Sequence, residues 1–215
     1  YHLYISHACP WAHRAVIFRK LKKLEKIISL SVVSPLMGEN GWEFDKGADV
    51  VNNAKHMHQI YTKADTKYTG RVTVPVLWDK TNNTIVNNES AEIIRMFNSG
   101  FGDLADNSVD YYPENLRKEI DKINRFIYSG INNGVYRAGF ATTQEAYNDG
   151  VKKLFHSLDN VENGLGVSRY LAGERITEAD WRLFTTLIRF DSVYVGHFKC
   201  NVRQIEEYPN LSNYL

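Results

Sequence analysis

Ala8-Cys9-Pro10-Trp11-Ala12-His13-Arg14 follows a short apolar run, Tyr1-His2-Leu3-Tyr4-Ile5, and leads into Ala15-Val16-Ile17-Phe18-Arg19-Lys20-Leu21. A strand, a cysteine in the turn and a helix opening on proline is the layout of a thiol active site. Proline suits the first helical turn because the N–H it lacks would have had no partner there. A helix N-terminus carries partial positive charge and open N–H groups, which favour a thiolate over a thiol. The expectation is a Cys9 of lowered pKa, nucleophilic near neutral pH. Most cysteines outside disulfides are simply small, buried and apolar, but the Cys-Pro pair at a strand-to-helix junction tilts the reading toward chemistry. Ala12 stands three positions on, where a second cysteine would complete a redox pair, so any disulfide step must use an external thiol.

Working outward, residues 1–6 read as a strand and 10–24 as a helix, with Ala12, Ala15, Val16, Leu21 and Leu24 on one apolar face. Ile27–Val33 is a second, β-branched strand, and a parallel return after a helix makes a β-α-β unit. A long insertion, 34–71, follows and holds Gly38-Glu39-Asn40-Gly41-Trp42-Glu43-Phe44 and a helix over His56–Ala64. Loops of this length are usually functional or carry their own structure. Val72–Asp79 is a strand interrupted by Pro75, which requires an edge, a bulge or a cis bond. The turn Thr81-Asn82-Asn83-Thr84 leads to a hairpin partner at Ile85-Val86, and Asn88-Glu89-Ser90 precedes an amphipathic helix over Ala91–Phe97.

Beyond a polar stretch the character turns helical. Leu116, Ile120, Ile123 and Ile127 mark a helix over Glu114–Asn132, and Ala146, Val151, Leu154, Leu158 and Val161 mark one over Thr142–Gly164. Thr177-Glu178-Ala179-Asp180 is a capping box ahead of a helix over Trp181–Phe190. The expected architecture is a mixed α/β N-terminal domain, residues 1–98, a linker over 99–112, and an all-α C-terminal domain over 113–215.

The bulk properties bound the function. The 215 residues are 43% hydrophobic and 24% charged, ordinary globular values. A net charge of +1 argues against nucleic acid or a membrane surface as partner. No apolar run approaches the roughly 20 residues that cross a bilayer. Two cysteines, Cys9 and Cys200, make no disulfide framework and suggest a reducing compartment, the cytoplasm. The chain begins inside a strand at Tyr1, without Met or signal peptide, and reads as a fragment; a preceding extension would allow an organelle instead. Thirteen tyrosines supply candidates for lining a ligand site.

Cys9-Pro10-Trp11-Ala12, the Val74-Pro75 strand break and Glu89-Ser90 at a helix start together resemble the glutathione transferases. The Cys-Pro start alone resembles the omega class. Four further stretches resemble the xi class, the glutathionyl-hydroquinone reductases: 38–44, Gly70-Arg71-Val72-Thr73-Val74-Pro75-Val76-Leu77, 138–147 and 189–200. The resemblance spans nearly the whole chain. It implies a thioredoxin-like N-terminal domain, a cis Pro75, and glutathione as co-substrate with no metal. Pro10, Trp11, Trp42, Arg71, Val74, Pro75, Glu89 and Ser90 would bind the glutathione, Val74 pairing with its cysteinyl amide and Glu89-Ser90 holding its γ-glutamyl end. Cys9 would be the nucleophile, with Tyr136 and Tyr194 as phenols facing the quinol. The family carries a further tyrosine in a C-terminal extension, and this chain ends at Leu215 ahead of it. A homodimer through the helical domain is also implied.

The implied activity is reduction of glutathionyl-hydroquinones through a Cys9–glutathione mixed disulfide, giving hydroquinone and oxidised glutathione. Two rivals keep their place. An omega-like thioltransferase or dehydroascorbate reductase would use the same Cys9 with a different second site, and a non-catalytic transferase-like module would use neither. Several residues also carry plainer readings. Glu89-Ser90 is equally a helix cap, Trp42 is ordinary core unless its polar, Gly-rich loop brings it to a ligand, and Arg14 and Arg19 either add positive potential or are simply a charged helix face. Tyr136 and Tyr194 taken alone are packing residues, His13 has no assigned role, Cys200 is structural, and Asp180 is a folding element.

Overall fold

The computed structural model describes residues 1–215. All four residues of β1 (His2–Ile5) are buried, as suits a strand covered on both faces. Parallel to it runs β2 (Ser29–Val32), with His2 opposite Ser29 and Ile5 opposite Val32. On the other side lies antiparallel β3 (Val76–Asp79), which pairs in turn with β4 (Thr84–Asn87), giving the order β2-β1-β3-β4. The mixed sheet follows from the connections: a helix carries the chain from β1 to parallel β2, whereas a tight turn joins β3 to antiparallel β4.

Between β1 and β2 stands α1 (Pro10–Leu21), which packs on α3 (Ser90–Ser99). Phe18, Trp78 and Phe97 are fully buried in this first unit, each contributing roughly 1.5–3 kcal/mol of apolar transfer energy. The apolar face expected to run to Leu24 is cut short, because Lys23 adopts a left-handed φ of 53°. Leu24 nonetheless reaches the core beyond that turn. The expected charged helix face is also corrected. Arg14 is only 1% exposed, and Arg19 donates from Nε to the Ile28 carbonyl at 2.6 Å, tying α1 to the start of β2.

The 34–71 insertion carries α2 (Met57–Ala64), capped by His56 with Gln59 in a capping box. Its loop is folded around Asp49, whose carboxylate accepts the N–H groups of Val51, Asn52 and Ala54 and the Tyr4 hydroxyl. The Val74–Pro75 bond is cis, and the strand expected from Val72 begins only at Val76. Residues 100–110 stay with this unit: Lys22 donates to the Val109 carbonyl at 3.0 Å and Lys23 pairs with Asp106 at 2.6 Å.

The chain divides into two compact units, Tyr1–Asp110 and Tyr111–Leu215. In the second, the helix expected over Glu114–Asn132 resolves into a 3₁₀ turn, α4 (Arg117–Ile127) and a π-turn over Tyr128–Asn132. A separate short helix follows, α5 (Gly134–Gly139), then the 22-residue α6 (Gln144–Leu165). Gly150 lets these two approach, since a Cβ there would stand 3.3 Å from the Ala138 backbone. Next come α7 (Glu178–Leu187), a second π-turn over Phe190–Tyr194, and α8 (Pro209–Tyr214). The core of this unit gathers Ile131, Val135, Leu154, Leu158, Leu183 and Phe190.

The capping box reads as expected. Thr177 caps α7, and the Asp180 carboxylate accepts the Thr177 N–H at 2.8 Å, the Leu171 N–H at 2.9 Å and the Tyr214 hydroxyl at 3.0 Å. No helix is long and apolar enough to cross a membrane.

Candidate active site around Cys9

Cys9 is the N-cap of α1, with φ −84° and ψ 118° and Pro10 as the first helical residue. Its Sγ accepts the Ala12 N–H at 3.4 Å, so the sulfur occupies the place of a capping oxygen. A hydrogen bond from an open helix N–H stabilises negative charge on that sulfur. The thiol proton has an acceptor too, the Val74 carbonyl at 3.5 Å. The thiol is half-buried, and neither cysteine is in a disulfide.

The second wall of the site is the N-terminus of α3. Glu89 caps it, its Oε1 accepting the Ala91 N–H at 3.0 Å and the Ser90 hydroxyl at 3.3 Å. The two readings of Glu89-Ser90, cap and ligand, are thus compatible: one carboxylate oxygen serves the helix. From α1, Arg14 reaches the same place. Its Nη1 donates to the Ser90 hydroxyl at 3.5 Å, and its guanidinium lies 4.5 Å over the Trp11 ring. One chain of contacts therefore joins Trp11, Arg14, Ser90 and Glu89, and a second joins Cys9 to Val74. The positive potential that the sequence offered at Arg14 is here, but its burial and its bond to Ser90 were not legible in the sequence. Helical spacing alone does not reveal that α3 covers that face of α1.

Trp42 and Arg71 sit on the insertion, at its two ends. Trp42 is half-buried and follows a turn in which Gly38 and Gly41 exchange backbone hydrogen bonds. Gly41 has a φ of 77°, which an L-residue adopts only with strain. The Trp42 carbonyl then accepts the Met57 N–H at 2.8 Å, fixing the loop to the start of α2. Arg71 has an exposed side chain, and its carbonyl accepts the Tyr68 hydroxyl at 2.7 Å.

In the helical unit, Tyr136 and Tyr194 belong to one aromatic cluster. Their rings meet edge-on at 6.3 Å, and Phe198 packs against both at 5.4 and 5.2 Å. Tyr194, on the second π-turn, is 3% exposed, whereas Tyr136 is half-buried beside the exposed Phe140. Cys200 lies fully buried in this unit, and burial pushes its thiol up to about 12, which leaves it inert at neutral pH.

Comparison with known proteins decides the family. The glutathione S-transferase N-terminal domain model matches residues 8–99 and the C-terminal domain model matches residues 144–215. The chain is 57% identical over 216 residues to the glutathionyl-hydroquinone reductase PcpF of Sphingobium chlorophenolicum, covering 99% of this chain and 69% of that protein. It is 58% identical over 220 residues to the glutathionyl-hydroquinone reductase YqjG of Escherichia coli K12, covering 100% of this chain and 67% of the relative. The glutathione-bound structure of YqjG superposes with a TM-score of 0.96 at 59% identity, over 100% of this chain and 71% of the other. The Xi transferase of Phanerochaete chrysosporium gives 0.94 at 53% identity, over 99% and 75%.

The chain belongs to the Xi-class glutathione transferases. Its four-stranded sheet with α1 and α3, followed by an all-helical unit, is the transferase fold, as the resemblance implied. In this Xi-class transferase the cysteine sits at the N-cap of the first helix, with the cis-proline segment beside it.

Proposed function

We propose that this transferase reduces glutathionyl-hydroquinones to hydroquinones with glutathione as reductant. The observation that carries the proposal is the setting of Cys9, a capping sulfur at a helix N-terminus with Ala12 in place of a second thiol. The naming of both curated relatives as glutathionyl-hydroquinone reductases supports it.

The Cys9 thiolate attacks the thioether sulfur of the substrate, forming a Cys9–glutathione disulfide and breaking the sulfur–carbon bond. The electron pair of that bond goes to the ring carbon, which takes up a proton. A second glutathione thiolate attacks the mixed disulfide, releasing oxidised glutathione and returning Cys9 as thiolate. The sum is one glutathionyl-hydroquinone and one glutathione converted to hydroquinone and glutathione disulfide, two electrons passing from sulfur to carbon. A leaving carbon needs its proton in place, and Tyr136 and Tyr194 are assigned to that delivery. The two phenols share one aromatic cluster, Tyr136 half-buried and Tyr194 buried.

Glutathione is assigned to Pro10, Trp11, Trp42, Arg71, Val74, Pro75, Glu89 and Ser90. The chain of contacts from Trp11 through Arg14 to Glu89-Ser90 supports the γ-glutamyl part of that assignment, with the buried Arg14 guanidinium adding positive potential for a carboxylate. The unit Tyr1–Asp110 carries every residue assigned to glutathione, and the helical unit Tyr111–Leu215 carries Tyr136 and Tyr194. The family likeness implies a homodimer, which sedimentation checks, and a monothiol cycle fits the reducing cytoplasm.

The test is glutathione-dependent release of hydroquinone from a glutathionyl-hydroquinone, comparing the natural chain with Cys9→Ser, alongside dehydroascorbate and a small mixed disulfide. Cys9-dependent release of hydroquinone supports the reading. Activity confined to dehydroascorbate or the disulfide moves the protein to an omega-like thioltransferase. Failure to bind glutathione at all leaves a non-catalytic module.

A further inference from the structure

We infer that Tyr61 is a positioning residue for glutathione: its buried hydroxyl holds the Thr73-Val74-Pro75 segment and the Asn88-Glu89-Ser90 segment against each other. The inference rests on the assignment of Val74, Glu89 and Ser90 to glutathione and concerns what keeps those residues in place.

A phenol hydroxyl has one hydrogen to give and two lone pairs to share. The Tyr61 hydroxyl donates to the Thr73 carbonyl at 2.9 Å and accepts the Thr73 N–H at 3.3 Å and the Asn88 side-chain amide at 3.1 Å. Its whole capacity is used, and all of it goes to the two residues that immediately precede Val74 and Glu89. The Thr73 hydroxyl lies 3.3 Å away as well. Tyr61 is 1% exposed, so water does not stand in readily for a lost bond.

The need for such a brace follows from the fold. β3 begins at Val76, so Thr73 and Val74 lie outside the strand whose ladder would otherwise fix their backbone. Side chains of the insertion do it instead. Tyr68, whose ring tilts against Tyr61 at 4.9 Å, holds the Arg71 carbonyl, and Tyr61 holds Thr73 two residues on. At the other end of the same helix the Met57 N–H holds the Trp42 carbonyl. Helix α2 thereby meets the chain beside every segment assigned to glutathione except the Cys9 turn. The part of the insertion from Met57 to Tyr68 is a frame for the binding site.

A matched control exists. Tyr4 is equally buried, and its hydroxyl donates to Asp49 at 3.1 Å and accepts from Asn52 at 2.7 Å, within the insertion and away from Thr73 and Asn88. Tyr4→Phe therefore removes a comparable hydroxyl without touching the brace. Asn88 is exposed, so Asn88→Ala cuts one arm of the brace with little risk to folding.

The experiment uses the full chain and reads the glutathione concentration that half-protects Cys9 from alkylation, together with KM for glutathione and kcat. For Tyr61→Phe, half-protection and KM should rise about tenfold, equivalent to about 1.4 kcal/mol, with kcat at saturating glutathione within about twofold of the natural chain. Asn88→Ala should show a smaller rise of about threefold, one bond of the network being lost. Tyr4→Phe should lose thermal stability with half-protection unchanged. An unshifted Tyr61→Phe, an equal rise in Tyr4→Phe, or a fall in kcat at constant half-protection each overturns the inference while leaving the glutathione assignment intact. A natural chain that glutathione does not protect overturns both.

Discussion

The sulfur of Cys9 does two things at once, and two substitutions separate them. It caps α1 through the Ala12 N–H, and it is the proposed nucleophile. Cys9→Ala removes both roles. Loss of an N-cap oxygen costs about 0.5–2 kcal/mol, and a sulfur at 3.4 Å is a weak acceptor, so about 0.5–1 kcal/mol is expected here. For a chain of 215 residues that lowers Tm by about 1–4 °C. Cys9→Ser keeps an acceptor at the same place and a better capping one, so its Tm should match or exceed that of the natural chain. Both variants should lose hydroquinone release by about 10⁴-fold or more, the scale of removing a nucleophile. Thermal unfolding followed by fluorescence, run beside the release assay, reads both quantities on one preparation. An alanine variant as stable as the serine one would refute the cap. A serine variant keeping more than about 1% of turnover would refute the nucleophile.

Four further outcomes follow from the buried groups. At pH 7.5 a neutral alkylating reagent should label one thiol in the folded chain and two after denaturation, because Cys200 titrates at about 12 when folded; two labels on the folded chain would contradict its burial. That elevation also sets a sign: between the ordinary value of 9.0 and about 12 the unfolded chain has lost a proton that the folded one keeps, so stability should fall as pH rises through that window and less so in Cys200→Ala. His2 gives the acid-side counterpart. Burial lowers it from 6.5 to about 4, its Nδ1 meets the Ser29 hydroxyl at 2.7 Å and its Nε2 has no partner, so the unfolded chain binds the extra proton. Stability should drop as pH falls from 6.5 toward 4, and urea titrations of His2→Phe should show a flatter profile over that range. Asp180→Ala removes the capping box of α7 and the bonds to Leu171 and Tyr214, and should cost about 3 kcal/mol, seen as a Tm lower by about 6–12 °C.

What the sequence disclosed and what it withheld divide along a physical line. The Cys9-Pro10 junction, the β-α-β unit and the Thr177–Asp180 box were readable because each is a local preference that the fold leaves undisturbed. Pro75 announced a break in its strand by its missing donor. The end of α1 was not readable: Lys23 turns left-handed while the apolar spacing continues past it to Leu24. Short α5 and α8 carry too few residues for periodicity to show, and the π-turn over Tyr128–Asn132 continues the helical pattern without marking itself. Arg14 read as added positive potential or a charged helix face, and its burial stayed hidden because it depends on α3, about 80 residues away in sequence; a single helix cannot reveal its own cover. Tyr61 was hidden in the same way, as one aromatic among thirteen tyrosines until its hydroxyl partners were visible.

Ala12, three residues past Cys9, also decides how the protein ages under oxidative stress. A thiol attacked by peroxide becomes a sulfenic acid, which a neighbouring thiol can capture as a disulfide before further oxygen makes the damage permanent. Cys9 has a methyl group where that rescuer would sit, and the thiol of Cys200, held at about 12, is no substitute. The resolving thiol must arrive from solution as glutathione. With Cys9 as the proposed nucleophile, the co-substrate would thus serve twice, as reductant of the substrate and as the thiol that returns an oxidised Cys9 to use.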